Sequence, residues 1–257
     1  MNFRDIPSEL VNEIIKNVDM SRFIEILTNK TNTSNINYNI IITGSVGVGK
    51  STIAQLTYEI LKDLFNNVQI YPEYISYKLN DVSVGNLMLD LKINKLITAE
   101  TFQHFVLDIW EHQLQHKGFS NENCINILER LPEDAVTCFT KESYMNGEIS
   151  ELGWNNINER LKNINKKYKV PINSECKFAM IDNNNKLINA VQKIIDIIID
   201  DIKNGIKNRV FGLIVDDNEY MKRIITRGRN SEVNNKMEIY KHYNEFYSDL
   251  YNKLAFK

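Results

Sequence analysis

Short apolar runs recur along the chain, separated by longer stretches in which apolar side chains return every three or four positions. The runs "YNIIITG", "VQIYPEY", "CINILER" and "RVFGLIV" read as buried strands, and "KFAMID" reads as a short additional one. Helical spacing covers "SELVNEIIKNV", "MSRFIEIL", "KSTIAQLTYEILKDLF", most of 86–117, "ELGWNNINERLKNINKKY", 187–203 and the stretch after the last strand. The polar segment "TNKTNTSNIN" holds no apolar side chain before Ile36. These patterns predict a helical extension and linker over 1–36 and a main domain over 37–257. Strands alternating with helices predict an α/β fold of three layers, a parallel sheet covered by helices on both faces.

Composition narrows the classes. The 257 residues are 43% hydrophobic and 25% charged, with a formal net charge of −2. That balance supplies no basic field for nucleic acid, so no nucleic-acid partner is expected. No apolar run reaches the roughly 20 residues that cross a bilayer, and "VQKIIDIIIDDIK" is broken by charge into an amphipathic helix. "MNFRDIPSELVNEII" carries acids where a signal peptide needs an apolar core. Cys124, Cys138 and Cys176 have no paired or metal-type spacing. Together these features predict a soluble, cytoplasmic protein with free thiols. His112 and His116 stand one helical turn apart, but no third ligand follows a zinc pattern.

Candidate chemistry begins at "GSVGVGKS", which fits G-x-x-x-x-G-K-[ST] through Gly44, Gly49, Lys50 and Ser51. An apolar strand precedes it and a helix former follows, a context that a chance glycine turn would lack. Backbone N–H groups from Gly44 through Ser45, Val46, Gly47, Val48, Gly49, Lys50, Ser51 and Thr52 can turn inward around phosphate oxygens. Lys50 reaches the terminal phosphates and Ser51 holds Mg²⁺, so the motif predicts a nucleoside triphosphate ligand. No aspartate-glycine switch or asparagine-lysine-x-aspartate base reader follows, which argues against a GTPase. The third strand ends in "LERLPEDA", placing Glu129 and Arg130 where open α/β sheets bind ligands. Further on, "MKRIITRGRNSE" concentrates Arg223, Arg227 and Arg229 in seven positions. Arginines four apart on a helix repel one another, so they face either water or an anion.

Four separated motifs, in order, resemble the deoxyribonucleoside kinase family. They are the phosphate loop, "YPEY", "TFQHF" with "ERLPEDAVTCF", and "RIITRGRNSE", together covering about residues 38–250. "ERLPEDAVTCF" is most similar to the herpesvirus-type thymidine kinase version. The resemblance implies a nucleoside-kinase-like fold with an arginine-rich lid, using ATP and Mg²⁺ to phosphorylate the 5′-hydroxyl of a deoxynucleoside in salvage. It implies that Glu73 is the general base, that Arg130 holds the 5′ end and the moving phosphoryl group, and that Glu129 helps Ser51 hold the metal. A carboxylate beside an arginine and a metal stays ionised and can accept a proton, which suits Glu73 for that role. It further implies that Gln103 reads the base, that Phe139 stacks on it, and that Arg223, Arg227 and Arg229 close over the phosphates. Glu232 matches the acid that bonds the sugar 3′-hydroxyl. Members of this kind are commonly homodimers, and the same is expected here.

Counting from Gln103 and Arg130 places Trp110 and Ala135 where cytosine- and purine-preferring members carry Arg and Asp. A small neutral Ala135 leaves room for a 5-methyl group, which points to thymidine. Trp110 either narrows the pocket or faces the core. No tyrosine stands between 86 and 95 to share the 3′-hydroxyl with Glu232, and 155–205 reads as an insertion. The usual fifth strand and adenine-contacting loop after the lid are missing or displaced. Two other readings stay open: a thymidylate kinase, and a catalytically silent nucleotide-binding protein.

Overall fold

In the computed structural model, residues 7–19, 21, 36–79, 82–119, 123–184, 187–227 and 237–255 are described. Five parallel strands form the central sheet: β1 (Tyr38–Thr43), β2 (Val68–Tyr71), β5 (Ile125–Glu129), β6 (Lys177–Asp182) and β7 (Asn208–Ile214), in the order β2-β5-β1-β7-β6. A two-stranded hairpin, β3 (Lys78–Leu79) with β4 (Val82–Ser83), stands apart. All five strand segments expected from the apolar runs are present. The edge position beside β7 is taken by "KFAMID", which pairs from Lys177↔Arg209 to Asp182↔Ile214. The segment expected only as a short additional strand is thus the edge strand of the sheet.

β1 lies between β5 and β7 and helices cover both faces of the sheet, so its run of Ile40, Ile41 and Ile42 is fully buried. Each such side chain contributes about 1.5–3 kcal/mol by leaving water. On one face lie α1 (Ser8–Asn17), α2 (Lys50–Lys62) and α7 (Leu187–Asn204), around a core that includes Ile14, Ile53 and Ile195. The first described helix therefore packs into the main core. α7 buries Val191, Ile194, Ile195, Ile198, Ile199 and Ile202, the stripe its helical spacing predicts. On the other face pack α4 (Ala99–Lys117) and α6 (Glu151–Tyr168), with α3 (Val84–Ile93) alongside α4. Thr98 caps α4 by accepting from the Thr101 N–H at 3.1 Å, and Gly118 at φ 64° ends it.

Residues 132–145 form α5, whose middle, Ala135–Thr140, winds as a π-helix. Local widening of this kind is frequent at functional sites. Finally α8 (Asp217–Arg227) follows β7, and α9 (Met237–Ala255) crosses the sheet, with Tyr251 against Gly44 and Gly212. Among the described residues no helix is long and apolar enough to cross a membrane. Cys124, Cys138 and Cys176 are free thiols.

Candidate active site

The carboxyl ends of β1, β2, β5 and β7 converge on one cavity of about 900 Å³. Its wall starts at the phosphate loop. Gly44, Gly47 and Gly49 have φ of 145°, 89° and 95°, backbone that side chains rarely adopt. At Gly44 a Cβ would also stand 2.9 Å from the Leu213 carbonyl, so that position has neither the space nor the φ for a larger residue. Gly49 caps α2, and its conformation turns the loop into the helix whose positive end faces the cavity. Lys50 is buried and donates to the Ser45 carbonyl at 2.8 Å. Ser45 is held in turn against the Tyr220 hydroxyl, 3.2 Å away.

Glu129 and Arg130 end β5, each only 2% exposed, and they do not pair with each other. Glu129 accepts from Ser51 Oγ at 2.6 Å and from the Glu73 backbone N–H at 3.3 Å, tying β5 to the phosphate loop and to the turn after β2. Gln113 Nε2 holds the same turn by donating to the Pro72 carbonyl at 3.0 Å. A hydroxyl and a carboxylate side by side are hard oxygen donors, and the described residues hold no group of three or more His, Cys, Asp or Glu that could bind a metal. Ser51 and Glu129 thus fit Mg²⁺ held by few protein ligands, with phosphate and water supplying the rest.

Arg130 is in the left-handed region, φ 69°, which costs a bulky residue on the order of 1–3 kcal/mol and clusters at functional positions. Its Nη1 pairs with Glu73, its Nη2 donates to the Gly44 carbonyl at 2.8 Å, and its Nε donates to the Tyr247 hydroxyl at 2.8 Å. Burial works against its charge, but Glu73, the Tyr247 phenol and Glu129 outweigh that and raise its pKa. The guanidinium lies one layer behind the cavity wall and meets the cavity through Glu73 and Phe139.

At the other end Gln103 is 3% exposed on α4 and lines the cavity beside Phe102, Val106, Ala135 and Phe139. Phe139 has one contact with the Arg130 guanidinium, 5.2 Å from its ring centroid, and an edge contact with Tyr243 at 4.8 Å. Trp110 is 2% exposed in the core and faces a small void beneath Ala135 and Phe139, so it fills the floor below the Gln103 end of the cavity. Phe102 belongs to the core and also lines the cavity, while Phe105 is half-buried. His112 accepts or donates at 2.6 Å with the Tyr77 hydroxyl, on the outer face of α4.

The opposite wall comes from α8. Arg223 pairs with Glu219 at 2.7 Å and donates to the Asn183 carbonyl at 2.8 Å, beside the phosphate loop at Gly49. Asn183, 3% exposed just past β6, donates its amide to the Val48 carbonyl at 2.7 Å. Arg227 closes α8; Arg229 and Glu232 lie outside the described residues. Sequence reasoning named neither Asn183 nor Tyr243, Tyr247 and Tyr251 of α9. The i, i+4, i+8 spacing of these tyrosines marks a buried helix face and nothing more.

This arrangement defines the class, a parallel α/β protein with a phosphate loop and acid–arginine chemistry at its strand ends. The deoxynucleoside kinase family model matches residues 40–173, just over half of the chain. The protein belongs to the deoxynucleoside kinase family. Among solved structures it is similar to a deoxyadenosine kinase from M. mycoides with bound dCTP, at 20% identity over 85% of this chain and 86% of that one, TM-score 0.52. The same enzyme with bound dATP superposes at TM-score 0.48, with the same identity and coverage. These likenesses are of fold. No curated protein matches the chain.

Proposed function

We propose that this protein is an ATP-dependent deoxynucleoside kinase that phosphorylates the 5′-hydroxyl of a deoxynucleoside, with thymidine as its preferred acceptor. The observation that carries this reading is the convergence of Glu73 and the phosphate loop on one buried guanidinium, that of Arg130. In this reading the phosphate loop, Lys50 and the positive end of α2 bind the triphosphate, and Arg223 covers it from α8, with Arg227 and Arg229 as further lid cations. Ser51 and Glu129 would hold Mg²⁺, which supplies neutralisation of the phosphate charge when bound. Glu73 accepts the 5′-hydroxyl proton as the new P–O bond forms, and the Arg130 guanidinium keeps that carboxylate oriented. Closing of the arginine lid over the cavity would keep water from competing as acceptor. Glu232 is assigned the 3′-hydroxyl.

Gln103 offers a donor and an acceptor to a pyrimidine edge, and Phe139 offers a stacking face. What supports thymidine is the neutral floor. Trp110 occupies the space below Ala135, and neither brings a charge to the base. The test is transfer of labelled γ-phosphate from ATP to each of four deoxynucleosides and to thymidine monophosphate. Thymidine is expected to be labelled fastest, and Glu73→Gln to lose about 10²–10⁴ of that rate. Faster labelling of another nucleoside, or of the monophosphate, would overturn the acceptor assignment. A Glu73→Gln protein as fast as wild type would remove the base.

A further inference from the structure

The Arg130 guanidinium is a planar group whose three nitrogens are held from three directions. Glu73 takes Nη1, the Gly44 carbonyl takes Nη2, and Nε points away from the cavity to the Tyr247 hydroxyl at 2.8 Å. Two of these partners belong to the site already described. The third comes from α9, which follows the lid in the chain. Tyr247 is 2% exposed, and its ring also lies against the guanidinium, 5.6 Å from Cζ to centroid. The helix that carries it is anchored independently one turn later. The Tyr251 hydroxyl is shared between the carbonyls of Thr43 at 3.2 Å and Leu213 at 3.3 Å, at the ends of β1 and β7. Tyr247 is thus a fixed post. Burial pushes its phenol far above the ordinary value against the opposing pull of Arg130, so it stands there as a neutral hydroxyl accepting from Nε.

We propose that Tyr247 is a positioning residue for phosphoryl transfer, setting the plane of the Arg130 guanidinium so that Nη1 aims at Glu73. A planar fork has one rotation that matters here, and two fixed acceptors, at Nε and Nη2, remove it. Without the phenol oxygen, the buried Nε–H is left unsatisfied and the guanidinium turns to find a partner. The carboxylate it orients turns with it. Displacements of this size, made one residue away from the chemistry, reduce transition-state stabilisation more than ground-state binding. The inference rests on the kinase reading for its kinetic consequence and on geometry alone for the orientation.

Tyr247→Phe keeps the ring and removes one oxygen. With the preferred nucleoside, kcat is expected to fall about tenfold or more while KM for ATP and for the nucleoside stays within about twofold. Arg130→Lys has no Nε–H, so adding Tyr247→Phe to it is expected to change kcat by less than about twofold. An equal loss in both backgrounds, or none in wild type, would overturn the proposal, because a merely structural tyrosine acts regardless of what residue 130 is. A second readout needs no turnover. In ¹⁵N spectra of the arginine side chains, the Arg130 Nε–H is expected to exchange slowly in wild type. In Tyr247→Phe it is expected to shift and exchange at least about tenfold faster. An unchanged resonance in Tyr247→Phe sinks the orientation. Failure of the wild-type protein to label any nucleoside would instead sink the kinase reading, and this resonance would still decide the role of Tyr247.

Discussion

The two flanks of the phosphate loop hold their cations differently. On the β5 side, Arg130 is 3% exposed at its side chain and tied to a carboxylate, a backbone carbonyl and a phenol. On the α8 side, Arg223 is 27% exposed, braced by Glu219 on its own helix and by the Asn183 carbonyl. A charge that must be aimed before substrate arrives is buried, and its partners meet the cost of leaving water. On the proposed reading Arg223 moves with a lid, and such a charge stays partly in water, where its ion pair is worth little. The difference teaches that stability and activity should separate at the two arginines.

Arg130→Ala breaks the comparison on the buried side and carries the largest expected effect. Glu73 and the Tyr247 phenol would both lose the guanidinium. The expected cost is about 3–5 kcal/mol of stability. The expected loss in kcat is about 10³-fold, since the base is no longer oriented. Urea unfolding and labelled-phosphate transfer measure the two. A fully stable variant would mean that the cost of burying the guanidinium equals what its three partners return.

Arg223→Ala tests the exposed side. Its pair with Glu219 is partly solvated, so stability is expected to move by less than about 0.5 kcal/mol. Transfer is nevertheless expected to fall by about 10²-fold, because a cation over the developing phosphate charge acts mainly in the transition state. A large drop in the melting midpoint would show instead that Arg223 is a structural clamp between Asn183 and the phosphate loop, and that both flanks follow one design.

Much of this contrast was legible in the sequence because it is local. The glycine spacing of the phosphate loop, Glu73 after a strand stopped by Pro72, and Glu129–Arg130 at the end of β5 are each fixed within a few residues of an apolar run. The same holds for the five strands, "KFAMID" included, although their order is not local. Nothing within 177–182 states that it will lie beside β7, or that Asn183 will therefore reach the Val48 carbonyl. The tyrosines of α9 were illegible for a related reason. Aromatic residues four apart on a helix look like any core-facing stripe. The contact that makes Tyr247 different, with Arg130, spans 117 positions. Arg229 and Glu232 lie outside the described residues, so their assignments rest on the resemblance.

A third cation separates burial from pairing, with the smallest expected effect on transfer. Lys117, at the end of α4, donates to the Ile70 carbonyl and lies 5.1 Å from the Tyr71 ring centroid, with burial as the cause that lowers its pKa from 10.5 to about 8. The unfolded chain therefore binds more protons than the folded one between about pH 8 and pH 10.5, and stability rises with pH across that window. Below it, the penalty of a charged, desolvated amine is fully present. A shift of that size corresponds to about 3 kcal/mol, which partial exposure of the amine reduces to about 1–2 kcal/mol. Lys117→Met keeps the stem's packing and removes the charge, so it is expected to stabilise the protein by about that amount at pH 7 and to flatten the rise between pH 8 and pH 10.5. Transfer activity is expected to stay within about twofold, since Lys117 lines no part of the cavity. Urea unfolding of both proteins at pH 7 and pH 10 decides it. Equal stability at both pH values would mean that one carbonyl and one ring are enough to hold a buried cation. The three-way grip on Arg130 would then be needed for its direction alone and not for its charge.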